Sequence, residues 1–568
     1  MNKSVLAPVR QAIACACFAA LASPGLVAAQ APPDAGSLLQ QIEQQRAVPL
    51  PPKAAPLFTP PAPMQSLGGA TITVTAFRFA GNILLSSEQL APSVVGLLGR
   101  PIGFADLQNA AIAVAATYRR AGWIVRVYLP KQEIEGGVVT IQVIEARFGA
   151  VRLEGENRRI SGERLRRIVE AAQPPGSAVN GDSLDRALLL LDDLPGLSVT
   201  GRLSEGQNQA ETDLVLAPVD GPLLSGDVTA DNTGARSTGS ARVSASANLN
   251  SPLRFGDLAS VFLMHSEGSD YGRAAYSVPM GSSGWRVGVN ASHLAYKVVT
   301  PEFEQLDAKG NSTTFGALAT YPLIRSRLKN LYLSLAFDHK HFDNSSLTVT
   351  TTRYDTEAAS LGLYGNLFDD LGGGGANTAG VTLLQGRVDL GGSPNESADA
   401  ATTRTAGDFH LLRFNASRQQ VLTDALSLFA GVSGQLAGKN LDSSEKFYLG
   451  GAGGVRAYPA SEAGGSEGLL LNLEARARLP ANFNASGFFD WGTVRVNENN
   501  DIPGATVVNR YDLKGVGISV GWVASFGLAV KATVARRIGN NPNSSVTGND
   551  QDGTLKKTRV WLQASLPF

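Results

Sequence analysis

Hydrophobic and polar positions follow two different periods along this chain. In residues 221–568 they alternate every two positions, as in 285–291 and 331–337, which is the period of β-strands with one apolar face. A soluble β-sandwich alternates in the same way, but this region has the length of a barrel of about 16 strands at ~10 residues each plus turns and loops. The pattern predicts a mainly β fold with a C-terminal transmembrane β-barrel of about 16 antiparallel strands at 221–568.

Upstream of the barrel, helical and strand periods follow each other in a fixed order. Residues 70–146 have the pattern strand, helix, helix, strand, strand, and residues 147–220 repeat it. Two copies of one supersecondary unit at a fixed spacing form an internal repeat. We predict two small α+β domains with these bounds, and in the first we expect helices at 86–98 and 104–121 and a strand at 123–129.

Three segments precede the repeats. Residues 1–29 have the basic start, the small apolar stretch and the Val-Ala-Ala end of a secretory signal peptide, and they contain both cysteines of the chain. Residues 30–47 contain a short amphipathic helix. Its apolar side chains are Leu38, Leu39 and Ile42. Residues 48–69 are rich in proline, which predicts an extended linker.

Composition and charge exclude several classes of function. Lys+Arg and Asp+Glu both number 49, so the formal net charge is +0 and no basic field is available to hold nucleic acid. No run of 18 apolar residues follows the signal peptide, so we expect no transmembrane helix. The glycine-rich runs at 372–375 and 450–454 lack the spacing of phosphate-binding loops. We therefore predict neither a nucleotide nor another cofactor.

Two short patterns resemble a catalytic motif and a metal-binding motif, but neither is complete. Gly181–Leu184 spells the signature of a lipase family, but it opens a predicted helix, where Asp182 or Ser183 suits the N-cap, and all five histidines lie in the barrel region. His339 and His341 share one face of a strand, yet no third metal ligand is evident. We predict no catalytic residue and no metal site.

The C-terminal strand has a pattern of its own. Val560, Leu562, Leu566 and Phe568 point to one side of it, and the sequence stops on an aromatic residue. This ending resembles the sorting signal of bacterial outer-membrane barrels. The resemblance implies insertion by the barrel-assembly machinery, delivery by periplasmic chaperones, and contact with outer-membrane lipid.

Two motifs in the barrel region point to a family. The first lies in a long loop between two predicted strands. It consists of Val455, Arg456, Ala457, Tyr458 and Pro459. The second lies in the next strand but one and consists of Phe488, Asp490 and Gly492. With the signal peptide, the proline-linked helix and the two repeats, they resemble the haemolysin secretion/activation family, whose members are the outer-membrane transporters of two-partner secretion. Ala457 departs from the glycine that the family usually has there.

The resemblance implies both a fold and a function. The repeats correspond to polypeptide-transport-associated (POTRA) domains in the periplasm, and the barrel lies in the bacterial outer membrane. The long loop is expected to fold into the lumen, where Arg456 meets Asp490, and residues 30–47 are expected to form a plug helix there. The protein would export an unfolded, β-rich partner exoprotein of the haemolysin or adhesin type.

The cargo site is expected at the edge strand of the first repeat. In POTRA domains the second strand lies at the sheet edge, where a cargo segment can add as a further strand. The expected contact residues are Trp123, Val125, Val127 and Leu129. A barrel-assembly factor of the same superfamily and a passive porin remain as alternatives, although such factors tend to carry more repeats and a porin needs no periplasmic arm.

Overall fold

The computed structural model describes residues 33–45, 50–54 and 71–568. A few loop residues inside the last range are not described, namely 209, 302, 303, 461, 504, 506, 507 and 546. The predicted signal peptide and most of the predicted linker therefore lie outside the described residues.

Sixteen antiparallel strands close into a barrel in the C-terminal part of the chain. The strands follow one another in sequence order around the barrel, which confirms the predicted fold class. The strands are β9 (Leu224–Asp231), β10 (Arg242–Asn250), β11 (Leu258–Ser266), β12 (Ser269–Met280), β13 (Trp285–Lys297), β14 (Lys309–Arg325), β15 (Lys329–Ser346), β16 (Val349–Asp369), β17 (Gly375–Asp389), β18 (Gly407–Val421), β19 (Leu426–Ala437), β22 (Glu467–Arg478), β23 (Phe483–Arg495), β24 (Arg510–Val523), β25 (Ala529–Arg537) and β26 (Thr558–Pro567).

Alternation along each strand separates the two faces of the barrel wall. Val289, Phe337 and Leu383 point outward and are exposed, whereas Leu294 and Phe342 point inward and are fully buried. Since a barrel strand has a period of two, each strand offers one apolar face to lipid and one face to the lumen. The repeats precede β9, so the first residues of β9 mark the periplasmic end of the barrel.

The barrel is closed by the pairing of its last strand with its first. Five residue pairs, from Gln563 with Asp231 to Pro567 with Asp227, form this seam. Phe568 extends it, because its N–H and C=O both bond to the backbone of Gly226 at 3.0 and 3.1 Å. The apolar side chains predicted for the C-terminal strand lie on its exposed outer face. They are Val560, Leu562, Leu566 and Phe568.

Each repeat forms a three-stranded sheet covered by helices. The sheet orders are β2-β5-β4 in repeat domain 1 (71–145) and β6-β8-β7 in repeat domain 2 (147–220). The elements are β1 (Ile72–Thr73), β2 (Ala76–Ala80), α2 (Ser87–Leu90), β3 (Pro101–Ile102), α3 (Phe104–Arg120), β4 (Val125–Tyr128), β5 (Val138–Glu145), β6 (Arg147–Leu153), α4 (Gly162–Ala172), α5 (Gly181–Asp192), β7 (Leu197–Glu205) and β8 (Glu211–Asp220).

Two local expectations in the repeats are wrong. The helix expected at 86–98 is α2 alone, followed by two short 3₁₀ turns, since Pro92 lacks an N–H and Gly96 favours other conformations. The N-cap of α5 is Asn180, whose side chain accepts the N–H of Ser183 at 2.9 Å. In neither repeat does the difference alter the order of strands and helices.

The remaining elements are short. They are α1 (Ala35–Gln44), β20 (Phe447–Tyr448), β21 (Gly464–Gly465) and α6 (Glu396–Ala401). None of the helices in the described ranges combines the length and the hydropathy needed to cross a bilayer.

The two repeat domains join without a linker. Only Ala146 separates β5 from β6, and the backbone N–H of Ile124 bonds to the carbonyl of Val179 at 3.0 Å. The N–H of Gly181 bonds in turn to the carbonyl of Gly122 at 2.7 Å. The segment directly before β4 is therefore paired with a segment of repeat domain 2, which ties the domains together.

Repeat domain 2 is docked on the periplasmic turns of the barrel. Arg325 at the end of β14 forms a two-pronged ion pair with Asp193, with both N···O distances 2.8 Å. Arg327, two residues further along the chain, forms an ion pair with Asp185 through its Nε. Because Arg325 is buried, this contact fixes the domain more firmly than a solvent-exposed pair would.

Candidate functional site in the barrel lumen

The loop between β19 and β22 folds back into the barrel instead of projecting outward. We call this loop, residues 438–466, the lumen loop. Its strands β20 and β21 pair as a short hairpin. Between them Val455, Ala457 and Tyr458 are almost completely buried against inward side chains of the barrel wall, such as Leu513. The loop thus fills part of the lumen.

Arg456 at the tip of the lumen loop meets Asp490 on the inner face of β23. Its Nε and Nη2 donate to the two carboxylate oxygens at 2.9 and 2.7 Å, and its backbone N–H adds a third bond at 3.0 Å. Both residues are buried. Although burial lowers the pKa of Arg456, the hydrogen bonds and charge of Asp490 outweigh it, so the pKa is raised overall.

The remaining sides of the Arg456 side chain are also occupied. Nη1 donates to Oε1 of Glu474 at 2.7 Å, and the guanidinium carbon lies 3.4 Å from the ring centroid of Phe488. The indole N–H of Trp561 donates to the carbonyl of Arg456 at 2.8 Å. A buried arginine is tolerated only when its charge and its N–H groups are satisfied, and here two carboxylates and an aromatic face do so.

Two close backbone approaches explain small residues at this site. The methyl group of Ala457 is fully buried, and a Cβ on Gly515 of β24 would lie 2.6 Å from it. Ala457 is not among the described residues with positive φ, so its backbone does not require glycine. A Cβ on Gly492 would lie 2.6 Å from Leu449 of the lumen loop, which accounts for the glycine of the second motif.

The rest of the first motif shapes the turn. The N–H of Tyr458 bonds to the carbonyl of Val455 at 3.0 Å, which closes a tight turn around Arg456. The guanidinium of Arg537 lies 5.4 Å from the ring centroid of Tyr458. Pro459 is buried and directly follows this turn.

A second ionic cluster joins the lumen loop to the loop between β25 and β26, residues 538–557. In it Asp550 is fully buried and bonds to Arg537 at 2.7 and 2.9 Å and to Arg559 at 2.9 Å. Because two arginines face this one carboxylate, the cluster holds the outer loop against the barrel wall.

Glu462 of the lumen loop reaches the same cluster, and its hydrogen-bond partners among the described residues are neutral. Its two oxygens accept from the amide of Asn541 at 2.8 Å and from the backbone N–H of Gln551 at 2.9 Å. Burial raises the pKa of Glu462 to about 7, and the nearby charges of Asp550 and Asp552 add to that rise. This carboxyl group therefore titrates near neutral pH.

Helix α1 lies inside the barrel. Leu38, Leu39 and Ile42 are buried against inward apolar side chains of the wall, among them Tyr296 and Phe342. The apolar face that the sequence predicts for this helix therefore packs on the barrel wall and not on a repeat domain.

The start of α1 is held by polar contacts. The Asp34 side chain caps the helix by accepting from the N–H of Ser37 at 2.7 Å, and it also accepts from the hydroxyl of Ser443 in the lumen loop at 2.9 Å. The N–H of Ala35 donates to the side chain of Asn344 on β15 at 2.9 Å.

Lys340 links the helix to the lumen loop. This buried inward side chain of β15 lies 3.5 Å from Glu43 of α1 and 3.1 Å from Glu445 of the loop. Arg413 of β18 reaches the other oxygen of Glu445 at 2.9 Å. Helix, loop and wall thus share one ionic network.

Part of the proline-rich segment is described, and it lies toward the periplasm. Asn366, near the periplasmic end of β16, donates to the carbonyl of Pro51 at 2.7 Å. The N–H of Ala54 bonds to the carbonyl of Arg327 in the next periplasmic turn at 3.5 Å. Residues 50–54 therefore follow the barrel wall away from α1 toward the repeat domains.

Sequence reasoning missed the polar residues that complete the site. Glu474, Lys340 and Glu445 belong to neither motif. The signal for Glu474 is the alternation of β22, which puts it on the face opposite Leu473 and hence in the lumen. Glu445 stands in a loop without period, so no pattern in the sequence points to it.

The structure places β4 at the edge of its sheet. The four residues expected to contact cargo, Trp123, Val125, Val127 and Leu129, are half-buried and pack on the core of their own domain. A strand added at this edge would meet the backbone and the exposed side chains of Arg126 and Tyr128.

The histidines that the sequence singled out lie on the outer face of the barrel. Nδ1 of His341 is 2.7 Å from Asp355, and His339 lies beside Glu357 at 3.4 Å. Within the described part of the chain, no three histidine, cysteine or acidic side chains are arranged to hold a metal ion.

A closed barrel with a filled lumen and two periplasmic α+β domains defines a transporter-type outer-membrane protein. Residues 210–522 match the model of the haemolysin secretion/activation proteins ShlB, FhaC and HecB, and residues 72–146 match the POTRA domain of the ShlB type. The chain belongs to the haemolysin secretion/activation family.

Individual relatives span nearly the whole chain. The heme/hemopexin transporter protein HuxB of Haemophilus influenzae strain 86-028NP is 27% identical over 527 residues, 90% of this chain and 92% of its own. The outer membrane transporter CdiB of Dickeya dadantii is 23% identical over 81% of this chain and 84% of its own. The solved structure of CdiB from Escherichia coli, at 20% identity, superposes with a TM-score of 0.72 over 95% of this chain and 100% of that one, which shows the same fold.

With this assignment the class and location of the protein follow. It is an outer-membrane transporter of two-partner secretion, which exports an exoprotein, and its POTRA domains lie in the periplasm. Barrel assembly is not favoured as its function, because the family and the relatives are transporters.

Proposed function

We propose that this transporter captures an unfolded, β-rich exoprotein of the haemolysin or adhesin type in the periplasm and passes it through the barrel lumen to the cell surface. The observation that carries this proposal is the content of the lumen. Helix α1 and the lumen loop occupy the path, and hydrogen bonds and ion pairs hold them there. Contacts of this kind can break and re-form, so the same barrel can be closed at rest and open during export.

The transport step needs no covalent chemistry. We propose that the chain is not an enzyme and binds no cofactor, and that folding of the exoprotein outside the cell draws it forward. Barrel-assembly machinery, periplasmic chaperones and outer-membrane lipid are its further proposed partners, in line with the exposed apolar face of its C-terminal strand. Nucleic acid and nucleotides are not among them.

The names of the relatives suggest kinds of cargo. HuxB is called a heme/hemopexin transporter, so an exoprotein that serves heme or hemopexin uptake is one candidate for this chain. The POTRA domains are proposed to bind the cargo by strand addition at an exposed sheet edge, where main-chain hydrogen bonds give affinity without requiring one side-chain sequence.

The function is tested by deleting the gene and comparing the culture medium with that of the parent strain. The expected result is the loss of one large protein from the medium and its return on complementation. Loss of several outer-membrane barrels with no change in the medium would instead indicate barrel assembly. An unchanged medium and an unchanged outer membrane would contradict both functions.

A further inference from the structure

All five histidines of the chain lie on the outer face of the barrel, in the half of the wall nearer the cell surface. Their side chains are exposed or half-buried, whereas the next residue along each strand points inward and is buried. Since β9 begins at the periplasmic end, β11, β13 and β15 end at the cell surface, and β18 begins there. The histidines are His265 on β11, His293 on β13, His339 and His341 on β15, and His410 on β18.

These histidines lie near the upper border of the apolar band that faces lipid. Trp285, at the periplasmic end of β13, lies eight residues before His293 on the same face and stacks on Tyr321 with ring centroids 4.8 Å apart. Eight residues of a strand tilted by about 40° span roughly 20 Å of membrane, and the apolar band of such barrels is about 25 Å tall. With aromatic side chains at the periplasmic border of this band, the histidines are placed where the headgroups of the outer leaflet begin.

An open groove of about 520 Å³ lies on this outer face between β10 and β13. The ionisable side chains that line it are His265, Asp270 and His293. The cross-strand neighbours of Gly272 are Leu263 on one side and His293 on the other. Among the described residues, a Cβ on Gly272 would meet only the Leu263 side chain within 4 Å, at 3.4 Å, so the glycine leaves space beside the histidine. The other outward lining residues are small or apolar: Val243, Ala245 and Ala295.

Each of the two groove histidines has one ring nitrogen engaged and the other open. Nδ1 of His265 lies 2.6 Å from a carboxylate oxygen of Asp270, and Nδ1 of His293 lies 3.0 Å from the hydroxyl of Thr313. Among the residues that the structure describes, neither Nε2 atom has a hydrogen-bond partner. A protonated imidazole donates from both nitrogens, so with Nδ1 turned to Asp270 the Nε2–H of His265 remains for a second anion.

The two rings are too far apart to share one small ion. They lie on β11 and β13 with β12 between them, which separates them by about 10 Å. A free phosphate reaches only one ring, whereas the headgroup of a glycolipid can contact both, and its acyl chains can lie along the apolar side chains of the groove. Because the groove lies on the lipid-facing side of the wall, a membrane lipid enters it without leaving the bilayer.

We propose that this groove binds lipopolysaccharide, the phosphorylated glycolipid of the outer leaflet. A phosphate group lies against Nε2 of His265, the sugar headgroup reaches His293, and an acyl chain packs beside Leu263. The same strands hold α1 on their inner face, because Met264 and Leu294, which alternate with the groove residues, belong to the apolar cluster around that helix. The lipid therefore supports from outside the part of the wall that holds α1. The inference concerns the barrel wall and does not depend on the identity of the cargo.

Binding of labelled lipopolysaccharide to the purified full-length protein in detergent tests the site. His265→Ala with His293→Ala should weaken binding by about tenfold, because a charge-assisted hydrogen bond and a second ring contact are lost. His410→Ala is the matched control, since this histidine lies on the outer face but does not line the groove. The same lipid with its phosphates removed should bind the unaltered protein as weakly as the double variant binds the intact lipid.

A second pair of variants tests the groove apart from the histidines. Gly272→Leu fills the space beside Leu263 and should weaken binding as the double histidine variant does. Gly272→Ala adds only a methyl group at an ordinary contact distance, so it should keep most of the affinity. Heat-modifiability of each variant shows whether its barrel is folded.

Weaker binding in the double histidine variant and in Gly272→Leu, with both controls close to the unaltered protein, supports the inference. Equal binding by the double variant and the unaltered protein, or undiminished binding by Gly272→Leu, would overturn it. Full competition by phosphatidylglycerol or by inorganic phosphate would contradict it as well, because the site would then recognise a phosphate group alone. Equal binding of the dephosphorylated lipid would overturn the inference even if a variant failed to fold, since that measurement uses the unaltered protein.

Discussion

At the scale of single residues, Arg456 is a charge in the lumen whose side chain has a partner on every side. Two carboxylates, one aromatic ring and one indole surround it, and the aspartate belongs to a different strand from the glutamate. A planar guanidinium can satisfy such an arrangement because its N–H groups form a fixed fork, and a lysine cannot. This residue therefore fixes the position of the lumen loop relative to the wall.

Removing either member of the Arg456 and Asp490 pair should lower secretion. Arg456→Ala leaves the buried Asp490 without a cation, which should cost about 3–5 kcal/mol in a dry site and less where water enters. Asp490→Ala should cost less, because Arg456 keeps its ion pair with Glu474. Since both changes remove the same interaction, the double variant should be little worse than Arg456→Ala alone. The measurement is a double-mutant cycle on secreted cargo, with barrel heat-modifiability as the control for folding.

Arg456→Lys provides the matched control for that cycle. It keeps the positive charge but loses the two-pronged geometry, so secretion should be intermediate. Fully additive losses at residues 456 and 490 would mean that the two act separately. The loop would then depend on a different anchor.

Glu462 should make the contact between the two loops sensitive to pH. An acid whose pKa rises from about 4.3 in the unfolded chain to about 7 when folded stabilises the folded contact at low pH. That stabilisation falls as the pH rises above about 4 and is lost once it passes about 7. Asp550 and Asp552 face the group, and Arg537 and Arg559 neutralise Asp550.

The expected result is weaker protection of backbone amides around residue 551 at pH 8 than at pH 6, measured by hydrogen exchange in detergent or nanodiscs. Glu462→Gln should flatten this pH response, whatever its absolute level of protection. An identical pH response in the variant would show that another group is responsible.

At the scale of elements, the attachment of α1 shows which contacts would have to break for the helix to move. Its apolar face packs on the wall, its start bonds to Asn344 and Ser443, and Glu43 near its end reaches the lumen loop through Lys340. Movement of the helix would leave Lys340 with Glu445 alone. Helix and loop are therefore expected to influence each other's position.

Deleting residues 30–47 should raise single-channel conductance in planar bilayers, because it removes α1 and leaves only the lumen loop inside the barrel. Glu43→Gln is the milder test, since it removes the charge that faces Lys340 but keeps the helix. It should increase the frequency of openings and leave the size of each opening unchanged. Unchanged conductance after the deletion would argue that α1 does not occupy the conducting path.

The sequence predicts the elements better than it predicts their contacts. The strands of the barrel, the repeat and α1 follow from hydrophobic period, because a period reports which face is buried. Arg456 and Asp490 were expected to meet only through a family motif. Neither the hydrophobic period nor the family motif points to Glu445, because its role depends on a long loop that folds back into the lumen. Pro92 was present in the sequence, yet the apolar pattern around it still suggested a longer helix.

At the scale of the whole molecule, the ion pair of Asp193 and Arg325 joins the periplasmic arm to the barrel. Arg325 is buried and Asp193 is partly exposed, so the pair is stronger than a surface ion pair and can still be altered without disrupting a core. This pair is one of several contacts that hold the POTRA domains under the barrel mouth, together with those of Arg164 and Arg186.

Asp193→Arg should loosen the arm, because it places two like charges together at the docking site. The expected result is a broader distance distribution between spin labels on repeat domain 2 and on the periplasmic turns, together with reduced secretion. The exchanged double variant, Asp193→Arg with Arg325→Asp, should restore part of both. A distribution that stays narrow in Asp193→Arg would show that the remaining docking contacts suffice.

The single residue between the two repeat domains has a consequence for how such proteins can evolve. Ala146 is the whole connection, and backbone bonds on either side of it match residues 122–124 with residues 179–181. An insertion there would move residues 179–181 out of register with residues 122–124. Related chains can therefore lengthen in their outer loops, whereas the junction is expected to keep its length, and the spacing between the repeats should be among the least variable dimensions of the lineage.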